Sequence, residues 1–307
     1  MGTKQANSYH LSIKMQQFVA NSERYFPDEI ISRGITAQRR AYNAMTTSLA
    51  RKRPTDISVS DQLMNGVKTR RYQPKAGKSE TTILYAHGGG YYLGGLDSHD
   101  SFCADVASNC QVNIIAVDYR LAPEFPYPAP INDCYAVYQT LVEQGVSPIL
   151  MGDSAGGNLM AALTLLCRKN SMAQAAAQIL IYPALGMPNS LPSHQTLWDA
   201  PLLNYDTLEF CIQNYIPNCY QYSQLELAFP LIASSLEALP RAFIFAAQYD
   251  PLIDDAKSYA QRLMSENIMA SCTRVNGLLH GGLHAIGVCD EADYLLQLIC
   301  KKIETLK

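Results

Sequence analysis

The sequence predicts an α/β protein in which helices flank a mostly parallel central sheet. The first observation is a set of seven apolar segments typical of strands, most of them separated by helix-like segments. Such alternation is typical of a parallel sheet. The second observation is the order apolar run, tight turn and helix-like segment at residues 149–167. The predicted strands span residues 66–73, 82–87, 113–119, 148–152, 178–183, 242–248 and 271–276.

Length and composition fit a single α/β enzyme. The chain has 307 residues, 48% of them hydrophobic, which is enough to bury a large core. It is longer than a usual domain, but α/β folds commonly hold this length around one sheet. The formal net charge of −3 argues against nucleic acid as a partner, because phosphate binding requires a basic surface. We therefore expect a small-molecule substrate.

Cysteine usage and hydropathy bear on the compartment. The nine cysteines are an odd number and are dispersed, which suits a reducing compartment better than a disulfide framework. No C-x-x-C pair or histidine-rich cluster is present, so we expect neither a metal nor another cofactor. No apolar stretch reaches transmembrane length, and the first residues lack the apolar core of a signal peptide. We expect a cytoplasmic protein with no membrane partner.

The most informative segment predicts a nucleophilic serine. The apolar run Ile149–Met151 leads into a Gly-x-Ser-x-Gly turn, and the helix-like stretch Leu159–Cys167 follows. Such a turn can hold Ser154 on a strained backbone with its hydroxyl pointing out of the sheet. Gly152 and Gly156 leave room for the strand and helix to approach each other. The pentapeptide alone also fits an ordinary small-residue turn, but its flanks favour a catalytic serine.

A second segment predicts an oxyanion-binding loop. Three consecutive glycines follow His87, and their cost in conformational entropy indicates close approach of the backbone to a ligand. A phosphate-binding loop is the alternative, but no Lys-Ser/Thr follows and the dinucleotide-binding spacing is broken. Preorganised N–H donors stabilise the oxyanion of acyl transfer by about 3–4 kcal/mol each. The N–H of Ala155, just after the serine, is a natural further donor. The predicted loop donors are Gly88, Gly89 and Gly90.

Taken together, these segments resemble the α/β-hydrolase fold, and more narrowly the hormone-sensitive-lipase-like esterases. The resemblance extends over roughly residues 66 to 300 and implies ester hydrolysis. The sequence from His87 to Asp100 looks most like that of bacterial acetyl esterases. The segments that carry the resemblance are His87–Gly90, Asp118–Glu124, Gly152–Asn158, Tyr249–Leu252 and Gly277–His280.

The acid of a catalytic triad follows the serine in such a fold, and the histidine comes last. Asp250 lies at the carboxyl end of the predicted strand 242–248, where catalytic groups of open α/β sheets collect. Asp254 and Asp255 compete with it, but both fit the first turn of the next helix, where acids favour the helix dipole. We predict Asp250 as the acid of the triad, and the family's Asp-Pro-Leu motif supports that choice.

The base is one of six histidines. His280 and His284 both follow the predicted strand 271–276, and His280 directly after it would lie over Ser154. The resemblance also favours His280, because Gly277–His280 matches the family's Gly-x-x-His motif. The family commonly has an aromatic residue at the position of Gly282. His284 remains the alternative. The others are assigned elsewhere: His10 to the amino-terminal stretch, His87 to orienting the glycine loop, His99 to the segment after that loop, and His194 to an insertion.

The resemblance also implies a helical cap over the site. We predict a catalytic core of residues 56–183 and 231–307, interrupted by a cap insertion at 184–230. Amino-terminal helices within residues 1–55 would join this cap. The candidate substrate-pocket residues are Tyr91, Tyr92 and Trp198, with Leu202, Leu203 and Phe210 as candidates for the acyl pocket or for cap packing.

The predicted function is hydrolysis of short-chain, acetyl-like esters through a Ser154–His280–Asp250 triad and an acyl-enzyme. A serine amidase or peptidase could use the same groups. A noncatalytic small-molecule receptor is a further alternative, since hydrolase-like folds can bind ligands without catalysis.

Overall fold

A computed structural model describes residues 8–77, 79–217 and 225–307. Its strands form one eight-stranded sheet in the order β1-β2-β4-β3-β5-β6-β7-β8. The pairs β1–β2 and β2–β4 are antiparallel, and every other pair is parallel. The strands are β1 (Ile57–Met64), β2 (Val67–Pro74), β3 (Thr82–Ala86), β4 (Asn113–Val117), β5 (Ile149–Asp153), β6 (Ala177–Ile181), β7 (Ala242–Tyr249) and β8 (Ala270–Leu279).

Helices cover both faces of this sheet. The helices of the described ranges are α1 (Ile13–Glu23), α2 (Ile35–Ser48), α3 (Asp100–Cys110), α4 (Ala129–Glu143), α5 (Ala155–Lys169), α6 (Pro192–Thr196), α7 (Tyr205–Tyr215), α8 (Ile253–Ser265) and α9 (Asp290–Glu304). Residues of α4, α5 and α8 pack in one hydrophobic cluster, and those of α3 and α9 pack in a second. None of these helices combines the length and hydropathy that a bilayer crossing requires.

The two clusters lie on opposite faces of the sheet because successive strand residues point in opposite directions. Leu84 and Leu180 belong to the cluster of α4, α5 and α8. Their neighbours Ile83, Tyr85 and Ile179 belong to the cluster of α3 and α9. All five side chains are buried, so the central strands read as continuous apolar runs, as parallel strands do.

The α/β fold class with a mostly parallel sheet is confirmed, and all seven predicted strands are present within a few residues of their predicted bounds. The edge strand β1 was missed. Its burial alternates only weakly, because four of its residues are exposed and only Ile57 and Met64 are buried. The described residues of the region 1–55, where amino-terminal helices were predicted, contain α1 and α2, with a short 3-10 helix at Asp28–Ile30 between them.

In the described part of the chain, α1 and α2 come from the amino-terminal region and α6 and α7 from residues 184–230. Contacts place α2 and α7 beside the glycine loop. The rings of Tyr91 and Tyr215, the latter in α7, stack with centroids 3.7 Å apart. The hydroxyl of Tyr92 donates to Oε1 of Gln38 in α2 at 3.0 Å. Arg39 also donates from Nε to the backbone oxygen of Tyr92 at 2.8 Å. These contacts bring the two helices to the carboxyl end of β3.

Candidate active site

Ser154 occupies a strained turn between β5 and α5, with φ at 53° and ψ at −120°. Left-handed backbone is costly for a residue with a side chain, and such strain concentrates at functional sites. The neighbouring glycines make the turn possible. A Cβ on Gly156 would collide with the carbonyl oxygen of Ala86 in β3. A Cβ on Gly152 would lie 2.5 Å from the carbonyl carbon of Gly156.

The structure brings Ser154, His280 and Asp250 together from three strand ends. Ser154 Oγ lies 2.8 Å from Nε2 of His280, which directly follows β8. Nδ1 of His280 lies 2.7 Å from Oδ2 of Asp250, which directly follows β7. With the carboxylate holding the proton on Nδ1, Nε2 is free to accept the serine proton.

Asp250 is distinguished from its neighbours by what it binds. Its side chain is fully buried, and Oδ1 accepts from the N–H of Leu252 at 2.8 Å, which fixes the carboxylate. Asp255 instead lies 2.8 Å from Nε2 of His194, and both residues are buried. Asp254 accepts from the Ser193 N–H at 3.0 Å. Of the three acids considered from sequence, Asp250 is the one at His280.

His284 lies near the site but faces a different partner. Its Nε2 is hydrogen-bonded to the hydroxyl of Tyr42 in α2 at 3.0 Å. Its ring centroid lies 4.8 Å from that of His99. Burial, with the nearby His99 adding to it, lowers the pKa of His284 to about 3. The ring is therefore neutral and links α2 to the loop that carries His280.

The N–H groups of the glycine loop are not equivalent. Gly88 donates to Oδ1 of Asp153 at 2.9 Å, which removes it from the predicted oxyanion donors. In the part of the chain that the structure describes, no acceptor takes the N–H groups of Gly89, Gly90 or Ala155. Ala155 is the first residue of α5, so its N–H lies at the positive end of the helix dipole.

Asp153 is a buried charge directly before Ser154. It is only 3% exposed, accepts from the hydroxyl of Tyr85 at 2.6 Å, and lies 3.4 Å from Nε2 of His99. Burial alone would raise the pKa of Asp153, but the nearby His99 and the hydrogen bond from Tyr85 hold it well below its usual range. The carboxylate is therefore ionised and anchors the start of the glycine loop through Gly88.

His87 holds the same loop from its other side. Its Nδ1 lies 2.7 Å from the carbonyl oxygen of Gly88. The ring of Tyr119 stacks on it at 4.2 Å between centroids, and the Tyr119 hydroxyl donates to the His87 carbonyl at 2.6 Å. Burial, with His99 adding to it, lowers the pKa of His87 to about 3. A neutral imidazole that donates from Nδ1 thus orients the loop, as the sequence predicted.

A cavity of about 910 Å³ opens at Ser154. Tyr91 and Tyr92 line it, whereas Trp198 is not among its lining residues in the described ranges, contrary to our prediction. Trp198 instead lies just after α6, where its carbonyl accepts from the N–H of Tyr205 at 2.8 Å. The larger apolar side chains of the lining are Phe18, Phe26, Ile30, Ile31, Met45, Leu93, Leu202, Leu203, Leu208, Phe210, Ile212 and Leu252.

The lining is largely apolar, and among the described residues it carries no Lys or Arg side chain. The acids among these lining residues are Glu23, Glu29 and Asp153. Within the described ranges, no group of three or more His, Cys, Asp or Glu residues is arranged to hold a metal ion.

Sequence reasoning missed Asp153 and Gln38. The signal for Asp153 was present, because it is a carboxylate directly after the predicted strand 148–152, and a carboxylate that becomes buried there requires hydrogen-bond donors around it. Gln38 gave no comparable signal, since its partner Tyr92 is 54 residues away in the chain.

Comparison with known proteins agrees with this geometry. A family model described as the alpha/beta hydrolase fold matches residues 83–284. A carboxylesterase of Mycobacterium tuberculosis, NlhH, is 35% identical over 228 residues, which cover 71% of this chain and 72% of the relative. An ethyl acetate hydrolase of Pseudomonas putida is 30% identical over 262 residues, covering 81% and 82% of the two chains.

Solved structures show the same likeness over nearly the whole chain. An esterase of the bacterial hormone-sensitive lipase family superposes with a TM-score of 0.88 at 25% identity, covering 98% of this chain and 99% of that one. An esterase of Pyrobaculum calidifontis superposes with a TM-score of 0.86 at 27% identity, covering 97% and 99%. The chain thus belongs to the α/β-hydrolase family, as a serine carboxylesterase of its hormone-sensitive-lipase-like branch.

Proposed function

We propose that this esterase hydrolyses short-chain, acetyl-like esters through an acyl-enzyme on Ser154. The observation that carries the proposal is the continuous chain of contacts from Ser154 through His280 to Asp250, at 2.8 Å and 2.7 Å. Nucleophile and base lie within hydrogen-bond reach, and a third group orients the base, which is the arrangement that activates a serine.

The mechanism assigns one role to each group. Ser154 Oγ attacks the ester carbonyl while Nε2 of His280 takes its proton, and Asp250 stabilises the resulting imidazolium. The N–H groups of Gly89, Gly90 and Ala155 donate to the oxyanion of the tetrahedral intermediate. The imidazolium then protonates the leaving alcohol. Water, activated by the same histidine, attacks the acyl-enzyme and releases the acid.

The acyl group is proposed to be short for two reasons. A relative of similar length is named an ethyl acetate hydrolase. Tyr91 and Tyr92 follow the oxyanion glycines directly, line the cavity and occupy space beside the reacting carbonyl. The rest of the 910 Å³ cavity is far larger than an acetyl group and is assigned to the alcohol part of the ester.

We extend the proposal to the architecture. Residues 1–55 and 184–230 form a cap over a core of residues 56–183 and 231–307. Support comes from the cavity, since α1, α2 and α7 supply much of its lining while Ser154 and His280 come from the core. A cap that encloses the ester excludes bulk water and strengthens each electrostatic contact in the site.

Two further expectations complete the proposal. The substrate is a small molecule rather than nucleic acid, in keeping with the net charge of −3. The compartment is the cytoplasm, because an odd number of dispersed cysteines suits reducing conditions.

The proposal is tested with Ser154→Ala and p-nitrophenyl acetate. The variant should fold and lose turnover, and the wild type should be labelled stoichiometrically by a serine-reactive phosphonate. Persistent turnover by Ser154→Ala would remove the serine from the mechanism. Absence of labelling in the wild type would instead favour a noncatalytic receptor. Cleavage of the matched anilide as fast as the ester would identify an amidase.

A further inference from the structure

The glycine loop is held in a strained backbone conformation. Gly89, Gly90 and Tyr91 all have positive φ, at 116°, 58° and 66°. Left-handed backbone is costly for a tyrosine, so contacts from outside the loop must hold this conformation in place. The Tyr91 carbonyl accepts from the Ala122 N–H at 3.0 Å, and the Tyr91 ring stacks on that of Tyr215. Both contacts act on Tyr91, one residue beyond the proposed oxyanion donors.

Arg39, on α2, binds the segment that follows Tyr91. Its Nε donates to the Tyr92 carbonyl at 2.8 Å, and its Nη2 donates to the Ala122 carbonyl at 2.8 Å. The carboxylate of Glu124 accepts from Nη1 at 2.8 Å and from Nη2 at 2.6 Å. The hydrogen bonds from Arg39 lower the pKa of the Glu124 carboxyl, so this acid is ionised. Four hydrogen bonds fix the plane of the guanidinium and aim its Nε at the Tyr92 carbonyl.

A chain of hydrogen bonds leads from Arg39 to a proposed oxyanion donor. The carbonyl of Tyr92 and the N–H of Leu93 belong to one planar peptide unit, and that N–H donates to the Gly89 carbonyl at 2.8 Å. The Gly89 carbonyl in turn shares a peptide unit with the N–H of Gly90. Hydrogen bonds in such a chain polarise one another, so a cation at its start makes the last N–H a stronger donor. Arg39 therefore acts on the Gly90 N–H through two peptide units.

We propose that Arg39 is a positioning residue of the oxyanion hole, which aligns and polarises the N–H of Gly90 through this chain. The inference rests on the proposed function, because that function assigns the Gly90 N–H to the oxyanion. Gly90 is half-buried and lines the cavity, whereas Arg39 is not among the described residues that line it. Turnover then depends on a cation of α2 that does not touch the ester.

The first measurement is steady-state hydrolysis of p-nitrophenyl acetate by Arg39→Ala. Outright loss of an oxyanion donor lowers kcat by about 10²- to 10³-fold, and Arg39 only supports such a donor. We therefore expect kcat to fall by about 10- to 100-fold while KM stays within about threefold, because the lost interaction is made in the transition state. The matched control is Arg40→Ala, which removes an exposed arginine from the next position of α2 and should keep both constants at their wild-type values.

A transition-state analogue separates the oxyanion hole from general binding. With 1,1,1-trifluorohexan-2-one, Ser154 Oγ adds to the carbonyl carbon, the carbonyl electron pair moves to the oxygen, and Nε2 of His280 takes the serine proton. The matched alcohol, 1,1,1-trifluorohexan-2-ol, has the same carbon skeleton and forms no oxyanion. Arg39→Ala should weaken inhibition by the ketone about 10- to 100-fold and leave inhibition by the alcohol unchanged.

Chemical rescue gives an independent reading of the same role. Guanidinium at millimolar concentration should restore part of the kcat of Arg39→Ala and should not raise that of Arg40→Ala. Arg39→Lys is the second variant if Arg39→Ala does not fold. It keeps the charge but replaces the planar fork by a single ammonium, so its kcat should lie between those of Arg39→Ala and the wild type.

Two results would overturn the inference. Folded Arg39 variants with wild-type kcat would remove Arg39 from the oxyanion hole. A raised KM with equal weakening of both inhibitors would confine Arg39 to holding α2 in place. Failure of the proposed function is distinguishable from either result, because the wild type would then leave the ester intact or Ser154→Ala would still cleave it.

Discussion

The assignment of the catalytic base is tested by replacing His280 and His284 one at a time with alanine. The two histidines are well matched, because both line the active-site cavity and lie four residues apart on the same loop. Their contacts differ. His280 joins Ser154 to Asp250, whereas His284 joins Tyr42 to the loop. Catalytic turnover should therefore depend on His280, and folding stability on His284.

The size of each effect follows from those contacts. Without His280, no described group lies within hydrogen-bond reach of Ser154 Oγ to take its proton, and only the backbone donors remain to assist. Loss of one triad member of this kind lowers kcat by about 10⁴- to 10⁶-fold, or about 5–8 kcal/mol. His284→Ala removes one hydrogen bond and leaves the partly buried Tyr42 hydroxyl without this partner. That costs about 1–3 kcal/mol of folding stability and changes kcat by less than about tenfold.

The assay is steady-state hydrolysis of p-nitrophenyl acetate, with thermal unfolding measured on the same preparations. A folded His280→Ala with near wild-type kcat, or a larger loss of kcat in His284→Ala, would refute the assignment. Phosphonate labelling adds an independent reading, because an unactivated serine reacts slowly. His280→Ala should be labelled slowly, and His284→Ala should be labelled at close to the wild-type rate.

Two further predictions concern the buried polar groups. Asp255→Asn should lower Tm but keep kcat within about threefold, since Asp255 contacts His194 and not the proposed base. Asp250→Asn should lower kcat by about 10⁴-fold. An equal loss of kcat in the two variants would contradict the assignment of Asp250. Burial lowers the pKa values of His87 and His284 to about 3, below their ordinary 6.5. Between these values the unfolded chain binds more protons, so the stability they contribute is full above about pH 6.5 and is lost as pH falls toward 3. Thermal scans should show Tm falling over this window, and His284→Gln, which does not titrate, should flatten the fall; a slope identical to wild type would count against it.

The parts of the site that sequence predicted are those fixed by local constraints. Ser154 lies between a buried strand and a helix start, and the glycines on either side of it are required by contacts within β3, β5 and α5. The glycine loop follows its strand directly in the same way. When a catalytic group depends on a strand–turn–helix order, a short stretch of sequence contains most of the information that places it.

Tertiary packing determines the residue roles that the sequence alone did not distinguish. Gly88 and Gly89 look alike in sequence, but only Gly88 is held by the carboxylate of Asp153. The role of Gln38 depends on Tyr92, which a separate element brings to it. Trp198 was predicted as a pocket residue of the cap insertion, but in the described ranges it is not among the residues that line the cavity.

Two buried histidine–aspartate pairs show why residue type alone does not identify a catalytic site. His280–Asp250 and His194–Asp255 have nearly the same separation, 2.7 Å and 2.8 Å, and all four residues are buried. The Oδ1 atom of Asp255 also accepts from the N–H groups of Leu185 and Gly186, so this pair fastens the start of residues 184–230 to α8. Nδ1 of His194 contacts no protein acceptor in the described ranges, whereas the second nitrogen of His280 reaches a serine hydroxyl. The two pairs differ in the environment of the ring nitrogen that does not contact the aspartate. We therefore propose His280, which follows a strand end and contacts Ser154, as the histidine that passes a proton between Ser154 and substrate.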